Sequence, residues 1–75
     1  MEEEKAFGQI LRDYRMRKKL SQEVLGFEAE LARNYVSQLE LGTKSPSLRT
    51  IFRLCRVLAV SPSVFLRDVE DKLNG

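Results

Sequence analysis

The chain has no histidine and a single cysteine, Cys55. No Cys/His metal cluster can be assembled from that set, and no Ser/His or Cys/His catalytic pair exists. A lone cysteine also excludes an internal disulfide, which suits a reducing cytoplasm. Long apolar runs are missing too: they extend only a few residues, far short of the ~20 that cross a bilayer. The opening Met1–Lys5 is acidic and lacks the apolar stretch of a secretory signal. No Gly/Pro/Ser-rich linker divides the 75 residues, so one domain over 1–75 is expected. No metal, cofactor or membrane association is expected. An enzyme is the weakest reading, because no nucleophile–base or metal set is available, and Glu23, Glu28 and Glu30 are most simply a solvated helix face.

The charge that is present is unevenly placed. The formal net charge is only +2. Glu2, Glu3 and Glu4 crowd one end, and Asp68, Glu70 and Asp71 the other. Between Lys5 and Arg67, 12 Lys/Arg stand against 5 Asp/Glu, a local balance of +7. A basic body between acidic ends fits a phosphate-binding surface. The first three glutamates also complement the dipole at the start of a helix.

Apolar spacing predicts helices throughout. Phe7, Ile10, Leu11 and Tyr14 recur at i, i+3, i+4 and i+7, which predicts a helix over 3–18. It closes on Arg15, Arg17, Lys18 and Lys19, cations that suit a helix C-terminus. Ser21 then caps a helix over 22–28, with Leu25 and Ala29 facing inward. Gly26 costs about 1 kcal/mol there relative to Ala, offset if it lets another helix approach. A third helix is expected over 32–41, held inward by Val36 and Leu39, with Tyr35 or Leu41 at its margins and Gly42 as its stop. Ser47 caps a fourth over 47–58, with Leu48, Ile51, Leu54, Cys55 and Leu58 as its apolar positions. Cys55 reads as core. Ser61-Pro62 opens a fifth over 62–72. No segment alternates with period two, so no sheet is expected, and there is no internal repeat.

The pair 22–28 and 32–41, with Arg33-Asn34 and Ser37-Gln38 on its second member, has the chemistry of a helix-turn-helix that reads base edges. Here a family resemblance becomes specific. Ser21-Gln22-Glu23 with Leu25, then Ala29 and Leu31, then Arg33 through Glu40 followed by Gly42, resembles the Cro/cI-type helix-turn-helix regulators, also called the xenobiotic-response-element type. Ser45-Pro46-Ser47-Leu48 and Ser61-Pro62 resemble that family's entries to its fourth and fifth helices. The resemblance covers residues 6–66. It implies an all-α, five-helix, lambda-repressor-like domain that acts as a sequence-specific transcriptional regulator on double-stranded DNA. Two positions depart from the family: Glu30 stands where the turn usually has Gly, and Ala32 where the recognition helix usually opens on Ser or Thr. The turn is therefore expected to adjust, or Glu30 to tolerate a left-handed backbone at modest cost.

In that reading 32–41 lies in the major groove. Arg33 binds guanine, Asn34 and Gln38 bind adenine or reach phosphate, and Ser37 makes a base or water-mediated contact. Gln22, Tyr35, Lys44 and Arg49 are the expected phosphate contacts. The resemblance further implies that Arg15 pairs with Glu40, fixing the recognition helix against helix one. Leu66, Val69 and Leu73 recur at i, i+3 and i+7 and look surplus to the core. They are the expected homodimer interface, placing two recognition helices on a two-fold operator. The rival reading is an antitoxin or protein-interaction module using the same fold to hold a protein partner.

Overall fold

The computed structural model describes all of residues 1–75 as five helices: α1 (Glu2–Arg17), α2 (Gln22–Ala29), α3 (Arg33–Leu41), α4 (Leu48–Leu58) and α5 (Pro62–Asn74). Three starts follow one device. Ser21, Ser47 and Ser61 hold extended backbone, and each hydroxyl accepts the amide N–H three residues on, from Val24, Thr50 and Val64. Each bond satisfies a donor that the first helical turn would otherwise leave unpaired. Pro62 follows at the first helical position, where its missing N–H is harmless. Ala32 occupies the same position before α3 but has no hydroxyl, and α3 starts without a side-chain cap.

The helix ends are equally regular. After α1, α2, α3 and α4 a residue turns left-handed: Lys19, Glu30, Gly42 and Ala59. The next amide then reaches back to a carbonyl five residues earlier, as Leu31 does to Gly26 at 2.7 Å and Val60 to Cys55 at 3.1 Å. This is the Schellman arrangement. At three of the four ends the donor is apolar, and Leu20, Leu31 and Val60 pack onto the core. That packing offsets the strain of a side chain at φ near +60°, where glycine would be the relaxed choice. The turn has therefore not adjusted around Glu30; its backbone is left-handed, at φ 60° and ψ 43°.

One core joins all five helices: Phe7 and Leu11 of α1, Leu25 of α2, Val36 and Leu39 of α3, Leu54, Cys55 and Leu58 of α4, and Phe65 of α5. Phe65 is its centre, with the Phe7 and Tyr14 rings at 5.2 and 5.4 Å. Burial raises the Cys55 thiol to about 11. The Tyr14 hydroxyl donates to Asp68 across to α5, and Arg17 sits 4.4 Å over the Tyr14 ring. That hydrogen bond, then burial, pushes the phenol above its ordinary value.

Two expectations about faces need correction, and one alternative is resolved. Leu48 is exposed and Thr50 takes the buried place on α4, its hydroxyl bonded to Ser47. Of Tyr35 and Leu41, offered as alternatives for the margins of α3, Tyr35 packs on the core and Leu41 is 68% exposed. Val69 is only 8% exposed and belongs to the core, so it is not surplus; Leu66 and Leu73, 40% and 41% exposed, form the rim around it.

Two glycines set helix spacing. A Cβ on Gly8 would meet the Leu39 carbonyl oxygen and lie 2.5 Å from that of Glu40, so α1 crosses the end of α3 backbone to backbone. A Cβ on Gly26 would lie 2.6 Å from the Leu31 carbonyl, so α2 needs a side-chain-free residue where the turn folds over it. No helix is long and apolar enough to cross a membrane.

Candidate nucleic-acid interface

α3 divides cleanly. Val36 and Leu39 face the core and are buried, while Tyr35 is half-buried against it. At about 100° per residue, Arg33, Ser37, Leu41, Asn34 and Gln38 fall on one contiguous opposite strip. Arg33, Asn34 and Gln38 are exposed and Ser37 is half-buried. None of their side chains is engaged in a hydrogen bond or ion pair to the rest of the chain. The strip thus presents a guanidinium fork, two amides and a hydroxyl, all uncommitted. Leu41 ends it. Of the two residues expected at the margins of this helix, Tyr35 is the one that packs inward, and the helical angle groups Leu41 with Ser37 and Asn34 instead. An exposed leucine there offers an apolar contact of the kind that suits a thymine methyl.

The strip is held by a compact polar network beneath it. Arg15 Nε donates to Glu40 Oε2 at 2.6 Å and a second guanidinium nitrogen donates to Oε1 at 3.1 Å. The third donates to the Leu20 carbonyl at 2.8 Å. Every nitrogen of Arg15 is therefore occupied, and the fork geometry is the strong, orienting kind. The pair is shielded, with side chains 14% and 5% exposed. Gln22 adds a bond from its amide nitrogen to Glu40 Oε1 at 3.0 Å. The first residue of α2, the end of α1 and the end of α3 thus share one carboxylate. Gln22 was expected to serve phosphate alone. The structure gives it this second task and leaves one amide hydrogen for an outside acceptor.

Tyr35 lies on α3, with Lys44 in the loop after it and Arg49 in the first turn of α4; both cations are exposed. Together with Lys5, Arg17, Lys18 and Lys19 they make up much of the cationic surface. No set of three His, Cys, Asp or Glu side chains converges to hold a metal ion.

The comparisons agree with this geometry. The helix-turn-helix family profile matches residues 11–65. Control protein C.BamHI of Bacillus amyloliquefaciens is 43% identical over 61 residues, covering 80% of this chain and 75% of that protein. Among solved structures, the restriction-modification controller protein C.AhdI from Aeromonas hydrophila is 39% identical, with a TM-score of 0.79 over 88% of this chain and 94% of that one. The clp gene regulator ClgR from Corynebacterium glutamicum is 25% identical, with a TM-score of 0.92 over 96% of this chain and 77% of that one. The chain belongs to the helix-turn-helix family of the Cro/cI type, and it is a DNA-binding transcriptional regulator.

Proposed function

We propose that this protein is a restriction-modification controller that works in the cytoplasm, binding a two-fold operator as a homodimer and reading it with α3. The observation that carries this reading is the uncommitted polar strip of α3, set on a rigid carboxylate-centred network, in a chain 43% identical to a control protein. The role is recognition rather than catalysis.

Each side chain has its own part. Arg33 takes guanine O6 and N7 through its fork; Asn34 and Gln38 take adenine N6 and N7; Ser37 reaches a base directly or through water. Lys44, Arg49, the Tyr35 hydroxyl and the free amide hydrogen of Gln22 hold phosphates, which fix register without reading sequence. Leu66 and Leu73, with the edge of Val69, face the second copy. They line an open groove of about 290 Å³ that also includes Pro46 and Ile51. Half-sites then lie about one helical turn apart, near 34–36 Å.

The test is competition. Duplexes selected from random sequence by the purified protein are challenged with unselected DNA across a salt series. Selected DNA should bind at least about a thousandfold more tightly, with affinity falling steeply as salt rises. If no sequence outcompetes bulk DNA even at low salt, the regulator reading fails. Leu66→Asp with Leu73→Asp should give folded monomers by light scattering. A persisting dimer would move the interface off α5.

A further inference from the structure

Leu41 is the one hydrocarbon side chain on the polar strip of α3, and it stands at the middle of that strip. Measured round the helix from Arg33 at about 100° per residue, the buried Val36 and Leu39 average about 270°, so the outward direction is about 90°. Leu41 falls at about 80°, between Ser37 and Asn34. Its side chain is 68% exposed and lies outside the core and the residues packed on it. The backbone beneath is held on both sides. Next to it, the Glu40 carboxylate is tied to Arg15 and Gln22. Gly42 turns left-handed and donates to the Leu39 carbonyl at 3.2 Å, and Thr43 donates to the Gln38 carbonyl at 3.0 Å. Gly42 also lies close on α1, where a Cβ would come 2.9 Å from Lys5 Cα. A lone exposed leucine is ordinary on a protein surface. One fixed at the centre of the face that enters the groove is placed for an apolar partner outside the chain.

We propose that Leu41 is a specificity-determining residue that reads the C5-methyl group of a pyrimidine in the major groove. This rests on α3 entering that groove. The thymine methyl is the apolar group among the base-edge features that tell the four pairs apart there; the others are hydrogen-bond donors and acceptors, which a leucine cannot use. Phosphate oxygens offer it nothing either. Leu41 follows Arg33 by eight residues, about 12 Å along the helix axis. The methyl therefore lies roughly two to four base pairs from the Arg33 guanine. Cytosine methylated at C5 presents the same methyl at the same place. Leu41 thus also makes binding respond to cytosine C5-methylation at that one position, where the methylated pair binds more tightly than the unmodified one.

The experiment uses base analogues. In the duplex selected by the wild type, each thymine is replaced singly by deoxyuridine, which removes the methyl and keeps every hydrogen bond. At one position of each half-site the exchange should weaken wild-type binding by roughly threefold to fivefold, the worth of one buried methyl group. With cytosine opposite guanine at that position, methylation at C5 should strengthen binding by a similar factor. The sensitivity should persist as salt rises, because an apolar contact releases no counterion. Leu41→Ala, which breaks no internal contact, should fold with an unchanged melting temperature and bind the thymine and deoxyuridine duplexes alike. Leu41→Met, which keeps an apolar side chain of similar reach, should restore the preference. A wild type that binds its selected duplex tightly yet ignores every thymine methyl overturns the proposal and leaves base reading by α3 standing. So does a Leu41→Ala protein that keeps the wild-type sensitivity. A wild type for which no sequence outcompetes bulk DNA overturns both.

Discussion

Replacing Glu40 by alanine should cost stability out of proportion to one side chain. The carboxylate accepts from Arg15 at 2.6 and 3.1 Å and from Gln22 at 3.0 Å, and is 5% exposed. Its removal leaves a shielded guanidinium holding only the Leu20 carbonyl. Breaking a buried pair from one side costs about 3–5 kcal/mol. Arg15 keeps one bond and some solvent contact, so the lower end applies, about 3 kcal/mol. A 75-residue domain holds about 4–11 kcal/mol in total. The loss is therefore a large share, and should lower the melting temperature by roughly 12–24 °C. Urea unfolding followed at 222 nm measures it, with the slope against denaturant unchanged. A double-mutant cycle with Arg15→Ala should return a coupling of about 2 kcal/mol. A loss below about 1 kcal/mol, the level of an exposed surface pair, would refute the reasoning.

The remaining expectations concern spacing, strain and pH. Gly8→Ala should lose about 1–2 kcal/mol, because forcing α1 from α3 exceeds the helix-propensity gain; an equal or higher urea midpoint would show that α3 moves freely. Glu30→Gly should raise stability by about 0.5 kcal/mol, the relief of left-handed strain less the entropy of glycine. A melting temperature that falls would mean the Glu30 side chain contributes contacts instead. Raised thiol and phenol pKa values mean that stability is full below the unfolded values and is lost as pH rises through the folded ones. For Cys55, held at about 11 against 9.0 when unperturbed, the loss between those values is about 2–3 kcal/mol. Cys55→Ala should flatten that alkaline decline, and an unchanged profile would assign it elsewhere. Alkylation of folded Cys55 at neutral pH should proceed only through unfolding, and fast labelling would contradict its burial.

Much of the fold was legible because helix boundaries are local chemistry. Ser21, Ser47 and Ser61 announce three starts through one hydroxyl each, and Gly42 announces a stop. Faces were harder, because the apolar residue of a pair is not always the inner one. Thr50 can be buried because Ser47 satisfies its hydroxyl, while Leu48, about 200° away around the helix, faces out. Val69 followed the spacing of Leu66 and Leu73 but lies a fraction deeper, and a one-dimensional pattern cannot set depth. Gly8 was readable in principle, since a glycine inside a helix needs a reason. Its reason, the α3 carbonyls, is a tertiary fact. Arg15 and Glu40 lie 25 residues apart and came from the family resemblance. The added bond from Gln22 needed the folded chain.

The central claim is that α3 reads bases while the surrounding cations only hold the backbone. It is tested by measuring binding to every single-base variant of the selected duplex, for the wild type, Arg33→Ala and Lys44→Ala. Arg33→Ala should lose about 1–3 kcal/mol and its preference at one guanine, symmetrically in both half-sites, while Lys44→Ala should weaken all sequences alike and reduce the salt slope by about one. An Arg33→Ala protein that keeps every base preference, or a Lys44→Ala protein that loses one, would contradict it.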